Sequence, residues 1–324
     1  MVTGGRPVGV AVMAYGTPAG PDDVEAYYTH IRRGRPPEPE QLADLVRRYD
    51  ALGGTSTMAR RTRAQVDAIA AALEARAPGR FRVALGQKHA APFIEDAAAE
   101  LVAEGAGTVV GLVLAPHFSR ASVGEYQARL AEVVSGAGAR PVGISSWSDL
   151  PAWLDLTATA VRDALATLPA ATKVLFTAHS LPERVLVDDP YPAELAASAQ
   201  AIASRAGLAR WAGWGQAWQS AGRTPEPWRG PDVLQVIRDL AETGRAEGVL
   251  VCPQGFVTDH LEVGYDLDIE ARAVAEEVGL AFSRTRTVDD DPTVMGALAD
   301  LVVATADAAT DGPLAGGAGP LLGG

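Results

Sequence analysis

The chain has 324 residues, 48% of them hydrophobic and 21% charged, which suits one large or two medium domains, each able to bury a core. A formal net charge of −12 disfavours nucleic acid and anionic membrane surfaces as partners, because phosphate contacts need clustered Lys and Arg. The single cysteine, Cys252, excludes an internal disulfide framework and any site held by several thiolates.

Short apolar runs alternate with longer Ala-rich helical patterns. Strands are predicted at 8–14, 81–85, 109–115, 141–144, 173–177, 248–252 and 280–283. Helices are predicted at 22–33, 39–52, 57–77, 93–104, 123–134, 152–168, 193–206, 232–242, 269–278 and 293–306. Strands that stay apolar without alternation, separated by helices, imply parallel sheets covered on both faces. The rhythm occurs twice and breaks near Trp147–Trp153, which places two α/β lobes at about 1–148 and 149–306. The last helix could pack back on the first lobe. Residues 307–324, rich in Gly, Pro and Ala, are expected to form a flexible tail. No secretory leader is expected at the start, and apolar stretches such as 108–115 are too short to span a bilayer, so the expectation is a cytoplasmic chain without membrane insertion.

In open parallel sheets, ligands bind beyond the carboxyl ends of the strands, and two lobes leave a cleft between them. No Gly-rich phosphate loop follows any predicted strand; Gly4-Gly5 precedes the first one, the wrong side for a dinucleotide fingerprint. Tyr15 follows the first strand, where it could stack on a flat ligand, meet a metal, or simply pack on the next helix. Arg32 and Arg48 close the first two helices, followed by Tyr49 and by Gly53-Gly54-Thr55-Ser56. Cations at helix C-termini are the default for dipole reasons, yet together these residues offer Arg forks and hydroxyls suited to several carboxylates on one ligand. His179 follows the strand at 173–177, where an imidazole can take a proton, bind a borderline metal, or merely hold its loop. After the strand at 248–252, Glu262, Asp266 and Glu270 recur every four residues. That spacing aligns them on one face of a helix, or of a strand, as a solvated face or as a track of oxygen ligands for a divalent cation.

The order and spacing of four motifs resemble the ferrochelatase family over nearly the whole chain, roughly residues 8–306. They are Leu114-Ala115-Pro116-His117-Phe118-Ser119, Ala178-His179-Ser180-Leu181-Pro182, Trp218-Gln219-Ser220-Ala221-Gly222-Arg223-Thr224-Pro225-Glu226-Pro227-Trp228 and Gly255-Phe256-Val257-Thr258-Asp259-His260-Leu261-Glu262. The resemblance implies a chelatase-like α/β fold: two similar lobes, each a parallel sheet flanked by helices, with a porphyrin cleft between them. It implies that His179 and Glu262 face each other across the cleft as catalytic and metal-binding groups. Asp266 and Glu270 would be outer steps of the metal path, on a helix with a widened turn. Tyr15, Arg32, Arg48, Tyr49, Ser56 and Tyr126 would contact the porphyrin, and Tyr15 points to the coproporphyrin branch. Ferrous iron and porphyrin would be substrates of a monomeric lyase with no tightly bound cofactor, and one cysteine leaves no iron–sulfur cluster. The alternatives are a protoporphyrin ferrochelatase, another tetrapyrrole chelatase, or a non-enzymatic haem or metal carrier. His117 and His260 stay outside the expected site.

Overall fold

The structure is a computed structural model that describes residues 6–54, 56–209, 213–222 and 224–311. Thr55, Arg223 and residues 312–324 of the expected tail lie outside the described residues. The first half runs β1 (Val8–Ala14), α1 (Val24–Ile31), α2 (Pro39–Ala51), α3 (Met58–Arg76), β2 (Phe81–Gln87), α4 (Ile94–Ala103), β3 (Thr108–Val113), α5 (Val123–Gly136) and β4 (Arg140–Ile144). The second begins with α6 (Pro151–Leu165), β5 (Thr172–His179), α7 (Tyr191–Ala206), β6 (Trp214–Gln219), α8 (Val233–Glu242) and β7 (Gly248–Cys252). It ends with a composite helix (Leu261–Val263, Gly264–Ala271 and Arg272–Glu277), β8 (Ala281–Arg284) and a terminal helix (Pro292–Asp311).

Two four-stranded sheets result, ordered β2-β1-β3-β4 and β6-β5-β7-β8, and every pairing within them is parallel. The two orders are the same pattern, so β1 and β5 hold corresponding places, as do β3 and β7. All seven residues of β1 and all five of β7 are buried, as expected for strands covered on both faces. One apolar cluster runs from the first sheet to the second, with Val10, Val12, Ile69, Leu73, Trp153, Phe176 and Leu250 among its members. The outer faces are closed by α4 and α5 on the first sheet, and by α8 and the composite helix on the second. Strand glycines Gly111 and Gly143 are set by close packing against Gln127. Gln127 of α5 donates through Nε2 to the carbonyls of Gly111 (3.0 Å) and Ile144 (3.1 Å), tying β3 to β4. A Cβ on Gly111 would meet that amide and would lie 2.6 Å from Leu130.

Two expectations need correction. The strand at 214–219 was not expected, because Trp-Gly-Gln-Ala-Trp-Gln carries no β-branched residue and reads as polar; it is an edge strand paired only with β5. The last helix runs to Asp311, so 307–311 are helical and not part of a tail. That helix buries Val294, Leu298, Val302 and Ala306 in the shared cluster and packs on α3, β3 and β4 of the first half and on α6 of the second. Its stretch Pro292–Ala309 is also long and apolar enough to cross a membrane by length and composition, but here it occupies the position of a core helix.

Candidate active site

The two leading side chains are brought together by sheet order. His179 is the last residue of β5, and Glu262 lies in the first turn of the composite helix that follows the neighbouring strand β7. Nε2 of His179 lies 3.4 Å from Oε1 of Glu262, and each side chain keeps about a third of its surface open (33% and 35%). Both therefore belong to the second lobe, and the expectation that they face each other across the cleft is corrected. Adjacent parallel strands deliver their carboxyl ends to one wall. The Nδ1 of His179 hydrogen-bonds the Ser180 carbonyl, so Nδ1 carries a proton and Nε2 is the atom presented to the carboxylate.

Burial pulls the His179 imidazole down, but the Glu262 charge and hydrogen bond, the Ser180 carbonyl and Asp266 outweigh it and push it up to about 9. Burial acts on Glu262 in the opposite sense, and His179 with His260 more than offset it, holding the carboxyl well below the usual carboxylate range. The empty pair is an imidazolium–carboxylate. A third group was missed: Nε2 of His260 lies 3.5 Å from Oε2 of Glu262. The signal was its position two residues before Glu262 at a helix start. Gln219 was missed with β6; its Nε2 donates to the Glu262 carbonyl at 2.9 Å. Among the described residues, no group of three or more His, Cys, Asp and Glu is arranged to hold a metal by itself.

Residues Gly264–Ala271 form a π-helix, the widened turn that the resemblance implied. A wider turn brings positions four apart closer to one line, and two rows obey that spacing. Val263, Leu267 and Ala271 are fully buried against the sheet. Glu262, Asp266 and Glu270 form the other row. Asp266 is 7% exposed and is pushed up to about 6, chiefly by burial and further by Glu262 and Glu270, against Ser220 and Arg48. Asp268 is turned away and held by both forks of Arg284 at 2.8 Å.

The first lobe supplies the opposing wall. Tyr15 follows β1 as His179 ends β5, so the two occupy matching places in the two sheets. Water reaches part of the Tyr15 ring (41% exposed), yet the surrounding protein and the charges of Glu262, Tyr49 and Glu125 hold its phenol far above the usual range. Tyr49 and Tyr126 are buried beside it. His89 packs on the Tyr15 ring at 4.7 Å, and its Nδ1 lies 3.0 Å from that of His30.

The structure gives the other expected residues local partners. Arg32 caps α1 and donates through Nε to the Arg35 carbonyl at 3.2 Å, with its guanidinium 5.7 Å from the Tyr28 ring. Ser56 Oγ accepts from the Met58 backbone N–H at 3.0 Å, which steadies the start of α3. Arg48 spans the lobes: Nε pairs with Asp44 at 3.1 Å and Nη1 with Asp266 at 3.2 Å, over the Tyr265 ring at 4.7 Å. Leu52, the C-cap residue of α2, abuts Gly264, whose absent Cβ would lie 3.1 Å from it. His117 is structural: it is buried, and its Nε2 meets Ser198 Oγ of α7 at 2.8 Å.

Fold and site together define a two-lobed protein of the chelatase class. SirB from Bacillus subtilis, solved with Fe3+, superposes with a TM-score of 0.55 at 13% identity over 94% of this chain and 97% of that one. CbiX, described as the terminal enzyme of sirohaem biosynthesis in denitrifying bacteria, gives 0.52 at 16% identity over 91% and 98%. At such identities the likeness is one of fold.

The family is set by sequence. The family model for Ferrochelatase matches residues 7–306, and the chain belongs to that family. It is 42% identical over 305 residues to the coproporphyrin III ferrochelatase of Geobacillus kaustophilus, covering 92% of this chain and 96% of the relative. It is 41% identical over 305 residues to that of Bacillus subtilis, covering 92% and 97%. A protein named simply ferrochelatase, from Herpetosiphon aurantiacus, is 42% identical over 300 residues, covering 90% and 97%.

Proposed function

We propose that this chain inserts Fe2+ into coproporphyrin III, giving the iron porphyrin and two protons, as a monomer in the cytoplasm. The observation that carries the reading is the His179–Glu262 pair, 3.4 Å apart beyond neighbouring strands of one sheet, with Tyr15 at the matching strand end of the other. A flat ligand between the two sheet ends would meet a nitrogen and a carboxylate on one face and a phenol on the other.

A free-base macrocycle hides its nitrogen lone pairs in plane and carries two N–H protons. A cleft that binds a bent macrocycle best exposes those lone pairs. Ferrous iron accepts imidazole and carboxylate ligands, so Nε2 of His179 and Oε1 of Glu262 suit it once the imidazole proton has left. Asp266 and Glu270, on the same row as Glu262, would lead the cation inward. Two protons leave and one dication enters, so charge balances. Tyr15 would meet the far face of the ring. Arg32 and Arg48 would take carboxylates, with Tyr49 and Tyr126 against the macrocycle and the Ser56 hydroxyl proton directed at a third carboxylate. The lobe boundary is kept at 148/149, with the terminal helix assigned to the first lobe.

Anaerobic absorbance with ferrous iron and porphyrins of four or two carboxylates tests the proposal. Turnover is expected, faster with four. His179→Ala is expected to lower kcat by at least 100-fold with the fold intact by circular dichroism. Stoichiometric binding without turnover in the unmodified chain would make it a carrier instead.

A further inference from the structure

Two roles proposed above meet in a single ion pair. Arg48 is assigned to a porphyrin carboxylate and Asp266 to the path of the cation, and here they are bonded to one another. Both oxygens of Asp266 are engaged: Oδ1 accepts from Arg48 Nη1 at 3.2 Å, and Oδ2 accepts from the Ser220 hydroxyl. A carboxylate bonded in this way, beside a guanidinium, holds a second cation poorly. Arg48 is also anchored elsewhere. Its Nε bonds Asp44 at 3.1 Å, and its guanidinium lies 4.7 Å over the Tyr265 ring. Only Nη1 has to let go for Asp266 to lose its cationic partner and free Oδ1, while Ser220 keeps Oδ2.

We propose that an arriving porphyrin carboxylate draws Arg48 Nη1 off Asp266, so that the second stop on the cation's path forms only when the macrocycle is in place. The inference rests on the reading that Arg48 meets a substrate carboxylate. Before binding, Arg48 and Asp266 neutralise each other. Afterwards the substrate's carboxylate takes over Arg48, and Asp266 is left without its guanidinium partner in the repulsive field of Glu262 and Glu270. A divalent cation relieves that repulsion. Porphyrin therefore tightens cation binding, and by linkage the cation tightens porphyrin binding by the same factor.

The test is calorimetric titration of the full chain with Co2+, which stays divalent in air, with and without palladium(II) coproporphyrin, whose centre is already filled by an inert ion. In the unmodified chain, the porphyrin is expected to tighten Co2+ binding about tenfold. Arg48→Gln is expected to bind Co2+ tightly without porphyrin and to gain nothing when it is added. Asp266→Asn is expected to show no gain. Equal Co2+ affinity with and without porphyrin in the unmodified chain overturns the proposal, and that arm needs no variant to fold. Porphyrin affinity, titrated alongside by fluorescence, separates the two levels. If Arg48→Gln weakens porphyrin binding but the Co2+ linkage is missing, only the inference falls. If Arg48→Gln leaves porphyrin affinity unchanged, the carboxylate role of Arg48 falls too.

Discussion

Gly255 offers a sharp test of how the site is positioned. It lies in the loop after β7, and its N–H donates to the Thr177 carbonyl of β5 at 3.1 Å. A Cβ there would sit 2.6 Å from the Ala178 Cβ and 2.9 Å from its Cα. Carbon atoms settle at about 3.5–4.0 Å, so Gly255→Ala must separate the loop from β5 by roughly 1 Å. The neighbour is strand backbone next to His179 and cannot swing aside. The loop leads into the helix that carries Glu262, so the displacement falls on the 3.4 Å gap between the two groups. A shift of about 1 Å in such a pair costs on the order of 100-fold in rate, while overpacking costs about 1–3 kcal/mol of stability. Steady-state kcat and urea denaturation of the same preparation read both effects. A Gly255→Ala enzyme that keeps more than half the original kcat would refute the claim that this contact sets the pair.

Gly111→Ala drives a methyl into Gln127 and Leu130 and is expected to cost about 1–3 kcal/mol by urea denaturation; a variant as stable as the unmodified chain would refute the close packing. His117 is 3% exposed, and burial holds it down to about 3, so it folds neutral while the unfolded chain titrates near 6.5. The unfolded state then binds the extra proton between these values. The contribution is fully present above pH 6.5 and is lost as pH falls towards 3, on the order of 4 kcal/mol by pH 3.5. His117→Gln should flatten that acid slope in denaturation curves from pH 7 to 4; an unchanged slope would show that the burial is not felt.

Much of the architecture could be read from composition along the chain, because strands buried on both faces are continuously apolar; β1 and β7 match their expected limits. Edge strand β6 could not be read that way, since it has no β-branched residue and its Gln219 serves the site rather than the core. The period of four in the acids Glu262, Asp266 and Glu270 was visible, but it fits strand and helix equally until the backbone shows a π turn. Residue types at strand ends pointed to His179 and Tyr15. Which wall each occupies depended on strand order, which local sequence does not encode, and the resemblance alone had put His179 and Glu262 on opposite sides. The Arg48–Asp266 pair, 218 positions apart, has no local signature at all.

The terminal helix carries a consequence for synthesis. Its apolar side fills a gap in the first lobe, yet it is made after every strand of the second. A ribosome releasing this chain from its amino end produces a first lobe that stays open along one flank for most of translation, while the later lobe has all its own strands before that flank is covered. Maturation thus runs against the direction of synthesis: the half begun first is sealed last, and a nascent chain stopped short of residue 292 exposes the groove that Val294, Leu298 and Val302 would have occupied.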